Sequence, residues 1–187
     1  MLGKLSTQTA TERPDLLAPA VLAALRAWPS GVAAGADEVL VAPIDPDLAD
    51  TAAFCEAYAV SPEESANCVV VSGKREGEVR LAACLVFATT RADVNGVVRR
   101  HLDVRKASFA PMTEAVELTG MEYGGITPLG LPAGWPILVD AAVAAAPAVV
   151  VGSGVRRSKL VLPGRALAAL PGAVVVDGLG RPVTPTQ

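Results

Sequence analysis

The chain has 187 residues, 51% of them hydrophobic but only 4% aromatic, and 16 Lys plus Arg against 19 Asp plus Glu give a net charge of −3. That composition excludes intrinsic disorder, which is poor in apolar residues and rich in net charge, and a generally basic nucleic-acid coat. It leaves Val, Leu and Ala to build the core of one domain with a short extension, against a size of roughly 150 residues per domain.

Residues 16–27 predict a helix standing as an appendage to the core, and residues 38–42 a strand. Asp45 followed by Pro46 reads as an N-cap with proline at the first helical position. Leu48, Ala52, Cys55 and Ala59 then supply the apolar stripe of a helix ending near Ala59. Ser61, Pro62, Glu63 and Glu64 repeat the start signal for a single turn, with Glu64 placed for a capping box.

Cys68 to Val71 is β-branched and strand-like, residues 72–78 form a polar turn, and residues 79–89 return as a long strand, which together predict a hairpin. Thr90 with Asp93 opens the next helix, with Val94, Val97, Val98 and Leu102 facing inward. A short strand at 105–110 precedes a helix at 111–119 that Gly120 stops. Past a loop rich in glycine and proline, strands are expected at 137–140 and 148–152 around an alanine-rich helical turn. A strand at 159–162 pairs with the latter, and a helix at 164–170 and a strand at 173–176 complete the order. Hairpins outnumber parallel crossovers, so the expectation is a mixed α/β fold on a largely antiparallel sheet.

The charge-free runs 123–139 and 141–155 contain Pro128, Pro132, Pro136, Pro147 and several glycines, and so do not make the about 20 uninterrupted apolar residues of a spanning helix. The N-terminal residues show no apolar stretch of a secretory signal. Cys55, Cys68 and Cys84 are odd in number and lack CxxC spacing, which reads as reduced, buried thiols in a cytoplasmic protein. With one histidine, no metal site is expected.

Charge is unevenly placed. Residues 27–73 carry eight acids and no Lys or Arg, whereas Arg99, Arg100, Arg105 and Lys106 cluster around His101, and Arg156, Arg157 and Lys159 follow later. Such clusters either hold a polyanion on one face or are ordinary solvated positions. The segment around Gly152 and Gly154 resembles a dinucleotide loop, but Arg157 stands where the third glycine belongs and a strand follows instead of a helix. His101 reads as a surface histidine and Cys68 as a core thiol. Asp140 closes a strand, where it either anchors a loop through backbone N–H groups or orients a ligand amine. Gly124 and Gly125 lie in the sequence MEYGGITPLG, where the lack of Cβ lets a backbone approach a ligand closely and Pro128 biases Thr127 toward an extended conformation.

On these residues the sequence resembles the YbaK or aminoacyl-tRNA editing-domain family, over about residues 50–176. EAVELTGMEYGGITPLGLP is similar to the family signature TG-x-x-x-GG-x-(S/T)-P-x-G, and Gly124 to Pro128 matches the loop lining the editing pocket. Gly152, Ser153 and Gly154 match the small-residue strand end facing it, and Asp140 the aspartate closing the strand before. The resemblance implies a barrel-like, largely antiparallel sheet flanked by short helices at 36–180, after an N-terminal extension at 1–35 and before a tail at 181–187.

It further implies a deacylase of mischarged aminoacyl-tRNA that works without a cofactor. Asn67, Gly124, Gly125 and Thr127 would stand at the reacting ester. Ile126, Pro128, Asp140, Gly152, Ser153 and Gly154 would surround a small amino acid. Arg99, Arg100, Arg105, Lys106, Arg156, Arg157 and Lys159 would contact tRNA phosphates, with a synthetase as a further partner. One departure stands out. The family pattern PE-x-x-x-K-(T/N)-L carries a lysine where this chain has Asn67, a neutral donor and acceptor. The alternative reading is therefore a non-catalytic module on the same fold that binds tRNA ends, a nucleotide or a small ligand.

Overall fold

A computed structural model describes residues 2–28 and 34–183. The elements follow in the order β1 (Gln8–Thr9), α1 (Pro19–Arg26), β2 (Leu40–Pro43), α2 (Thr51–Tyr58), β3 (Ala66–Arg75), β4 (Glu78–Phe87) and β5 (Thr90–Ala92). A π-helical turn at Val94–Val98 runs into α3 (Arg99–His101), then β6 (Ala107–Phe109), α4 (Met112–Thr119), β7 (Ile137–Asp140) and α5 (Ala141–Ala145). β8 (Val149–Gly152), β9 (Ser158–Leu162), α6 (Gly164–Ala168), β10 (Ala173–Val176) and β11 (Gly180–Pro182) complete the chain.

The strands form a four-stranded sheet in the order β1-β2-β9-β8, a five-stranded sheet in the order β10-β7-β4-β3-β6, and a β5–β11 pair. One expectation is corrected here. The sheets do not close into a barrel, which would need an unbroken ladder around the circle. The two larger sheets meet at the single bridge between Ser65 and Val150, and β1, β6 and β10 remain at edges. The strand ladders are antiparallel apart from those of β7, which runs parallel to both β4 and β10, so the sheets are mixed.

Side-chain alternation along the strands builds three apolar layers. Leu85, Ile137, Val139, Val149, Val151, Leu160 and Leu162 point into the main core between the sheets. Ala82, Cys84, Val86 and Leu138 point to the opposite face of the five-stranded sheet, under Val94, Val98, Leu102 and Val104. Ala42, Val150 and Val161 point outward from the four-stranded sheet onto Phe54 and Cys55 of α2.

Local signals are well placed. Gly120 caps α4 at φ 65°, its amide donating to Val116 O at 2.9 Å. Asp93 accepts from the amides of Gly96 and Val97, although Thr90–Ala92 before it is a strand. The β3–β4 hairpin turns at Glu76 and Gly77, both at positive φ, as a two-residue type I′ loop requires.

The N-terminal extension is not an appendage. β1 pairs with β2, and Leu16, Leu17, Val21 and Leu25 are buried in the main core. The tail expected at 181–187 begins as β11, and residues 184–187 lie outside the described residues, as do residues 29–33 of the expected extension. No helix among the described residues is long and apolar enough to cross a membrane.

Candidate active site

Where β3 begins beside the end of β8, a cavity of about 280 Å³ opens. Its walls come from four parts of the chain: Ala49 to Thr51 before and at the start of α2, Ser65 to Val69 just before and on β3, the β8–β9 hairpin through Val150 to Gly152 and Lys159, and the loop residues Tyr123, Gly124 and Ile126. Of the expected site residues the fold brings together Asn67, Gly124, Ile126, Gly152 and Lys159.

The loop is held against the strand end by backbone contacts. Glu122 N donates to Gly154 O at 2.9 Å, Gly154 N donates to Gly125 O at 2.7 Å, and Gly125 N closes a turn on Glu122 O at 2.9 Å. The glycines serve this zipper. A Cβ on Gly152 would stand 2.3 Å from Gly125 O, and one on Gly125 would stand 2.8 Å from the Val155 backbone. The close approach expected between glycine and ligand is therefore largely one of backbone to backbone, and the Gly125 amide is committed to the turn. The amides of Gly124 and Ile126 make no backbone hydrogen bond among the described residues.

Several expected residues lie away from the cavity. Ser153 is fully buried and its hydroxyl bonds with Ser158 and with Val155 O. Gly154, at φ 83°, makes room for Ala18 of the N-terminal segment. Asp140 accepts from Ala142 N at 2.9 Å and Gly180 N at 2.7 Å, which is the loop-anchoring arrangement. Thr127 is fully buried with its hydroxyl unpartnered. Pro128 lines a separate cavity of about 720 Å³ among Trp28, Leu131 and Trp135, whose lining contains no titratable group among the described residues.

The basic residues divide in two. Arg99, Arg100, Arg105 and Lys106 are exposed, and the neighbouring Asp103 is held by Arg75 and Arg80. Arg156 instead braces the site: its guanidinium donates to Pro46 O at 3.1 Å and Tyr123 O at 3.2 Å and stands 3.8 Å from the Asp50 carboxylate. Arg157 donates to Asp15 O at 2.7 Å. Lys159 is only 8% exposed, so it is no surface phosphate contact.

Lys159 sits opposite Gly152 on the β8–β9 ladder and shares the outward face of β9 with Val161. Its ammonium donates to Ala49 O at 2.9 Å and Gly124 O at 3.4 Å and lies 5.3 Å from the centre of the Phe54 ring. Burial, reinforced by Arg156, brings its pKa down to about 8, against an opposing pull from Asp50 and Cys55. Asn67 accepts a hydrogen bond from the Thr51 hydroxyl at 2.7 Å. Burial pushes the Cys68 thiol up, with the neighbouring Cys84 adding to it, so Cys68 stays protonated and is no nucleophile.

Sequence reading missed Thr51 and Asp50 as cavity residues and took Lys159 for a surface group. Alternation along 158–162 holds the signal for Lys159, because it places that residue with Val161 and opposite the core-facing Leu160 and Leu162. Among the described residues no cluster of His, Cys, Asp and Glu is arranged to hold a metal ion.

The architecture matches solved structures. A scaffold used in computational epitope grafting aligns with TM-score 0.70 and 23% identity, covering 86% of this chain and 95% of the other. A proposed trans-editing enzyme for prolyl tRNA synthetase aligns with TM-score 0.70 and 24% identity, covering 86% and 94%. A hypothetical protein aligns with TM-score 0.64 and 24% identity, covering 76% and 90%. At these identities the likeness shows the fold. No curated protein matches the chain in sequence. The aminoacyl-tRNA editing domain model matches residues 45–170, a span that takes in every wall of the smaller cavity. With that match over most of its length, the chain belongs to the YbaK-like aminoacyl-tRNA editing domain family.

Proposed function

We propose that this protein is a trans-acting deacylase that hydrolyses the ester of a mischarged aminoacyl-tRNA, with the amino acid seated in the cavity between β3, β8 and the 121–130 loop. The observation that carries the reading is the lining itself: Gly124 and Ile126, whose amides make no backbone hydrogen bond among the described residues, stand with Asn67 and Lys159 around about 280 Å³. That volume suits an aminoacyl group and leaves the terminal adenosine at the mouth, beside the exposed Tyr123.

An aminoacyl ester is already activated. Its hydrolysis needs a water aimed at the carbonyl carbon and donors for the oxygen that becomes anionic, each worth roughly 3 kcal/mol when prearranged. The family resemblance adds the substrate's own ribose hydroxyl as a participant. A small cavity also provides the selection a synthetase lacks, since one methylene distinguishes substrates by only about 1–3 kcal/mol. The exposed Arg99, Arg100, Arg105 and Lys106 are proposed to contact phosphates. Lys106 lies beside Gly73 of β3, six residues along the strand from Asn67, or about 20 Å from the cavity.

The test is a deacylation panel of mischarged tRNAs, including alanyl- and cysteinyl-tRNA for proline. Release from at least one member above the buffer rate is expected. No release from any member overturns the deacylase reading in favour of the non-catalytic binding module.

A further inference from the structure

The family pattern supplies a lysine from β3, and this chain has Asn67 there, yet its cavity still contains an ammonium. We propose that Lys159 is the group that binds the ester carbonyl oxygen of the substrate, a cation delivered from β9 in place of one from β3. The inference rests on the deacylase reading.

Three observations carry it. First, the cavity walls include both Asn67 and Lys159, so the neutral residue and the displaced cation serve one site. Opposite Lys159 on the ladder stands Gly152, whose missing Cβ lets the Gly125 and Ile126 carbonyl oxygens close over the strand end. Second, Lys159 forms no ion pair among the described residues. The charged and titratable groups facing it are Asp50, Arg156 and Cys55, and Asp50 is engaged by Arg156 at 3.8 Å. A buried ammonium without a carboxylate partner is costly, and a purely structural role on β9 would be served by an apolar side chain. Third, an ammonium has three N–H donors, and the protein occupies two of them, at Ala49 O and Gly124 O. The third is left for an acceptor in the cavity.

The chemistry balances without a co-reactant. Water oxygen bonds to the ester carbon while the carbonyl π pair moves onto the oxygen held by Lys159, whose proton stays on Nζ. On collapse the bond from carbon to the ribose oxygen breaks, and a proton from the attacking water ends on that oxygen.

The experiment compares wild type with Lys159→Met and Lys159→Gln, each checked for folding by denaturant melt, on whichever mischarged tRNA the wild type deacylates. A fall in kcat of about a hundredfold, with KM changed by less than about threefold, is expected for either folded variant. Activity within about threefold of wild type overturns the proposal. If wild type deacylates no tRNA, the deacylase reading fails by itself. Lys159 is then judged by calorimetric titration with 3′-aminoacylamido-adenosines, whose amide replaces the ester. Binding to wild type that weakens by at least about tenfold in a folded variant supports the proposal, whereas equal binding, or none to wild type, overturns it.

Discussion

The Thr51 hydroxyl donates to Asn67 Oδ1 at 2.7 Å, which fixes the carboxamide with its NH₂ group as the end left to donate. Asn67 is therefore an oriented neutral group in the wall of the cavity of about 280 Å³ that Lys159 also lines.

Restoring the family's lysine should harm this protein. In Asn67→Lys two ammonium groups share one small cavity and the Thr51 hydroxyl loses its acceptor. The variant is expected to lose about 1–3 kcal/mol in denaturant melts and to deacylate more slowly than wild type. In the double variant with Lys159→Met the stability should return in part, because a single cation remains while the Thr51 hydroxyl still lacks its acceptor. An Asn67→Lys protein as stable as wild type and faster would contradict this arrangement.

Gly152 tests the zipper between the loop and β8. An alanine Cβ there would stand 2.3 Å from Gly125 O and 2.6 Å from Ile126 O, both rigid backbone atoms. Gly152→Ala is expected to cost at least about 2 kcal/mol in urea unfolding and to abolish activity by displacing the loop. Gly124→Ala meets mainly the movable end of Arg156 at 2.7 Å and a φ of 79°. Its cost should be smaller, about 1 kcal/mol.

Lys159 gives stability a pH dependence of definite sign. Its folded pKa, about 8, lies below the ordinary 10.5, so between those values the unfolded chain binds more protons than the folded one. The penalty of holding the charge is full below about pH 8 and disappears as pH rises to the unfolded value. It amounts to about 3 kcal/mol. Wild type should gain stability relative to Lys159→Met between pH 8 and 10.5, as measured by unfolding curves on both proteins. A constant difference across that window would show that burial does not perturb this ammonium.

The two groups of basic residues should separate experimentally. Alanine at Arg100 or Lys106 is expected to weaken tRNA binding and to reduce the salt slope by about one for each phosphate no longer neutralised, with melting unchanged. Alanine at Arg156 or Arg157 instead removes hydrogen bonds to Pro46 O, Tyr123 O and Asp15 O, and should lower the melting temperature. Filter binding across a salt series, alongside thermal melts, reads both.

Local chemistry was legible in the sequence because its causes are local. The Gly120 cap, the Asp93 cap, the β8–β9 hairpin and the 124–128 loop each depend on a few adjacent residues, whose turn and capping preferences act over one turn of chain. The small cavity was legible only through Asn67, Gly124, Ile126 and Gly152. Ser153, Gly154 and Asp140 looked equivalent to these, but their partners lie elsewhere in the fold, at Ser158, Ala18 and Gly180.

By itself, then, the sequence determined the order of elements from β2 to β10 apart from β5, the family and the loop that borders the site, all of which rest on short-range pattern. Tertiary structure alone decided that two-residue β1 and the helix after it belong to the core, and that the sheets stay open. It also decided that a lysine from β9 occupies the cavity that Asn67 leaves neutral. The physical reason is that alternation tells which face a strand residue takes, while only packing tells what stands against that face.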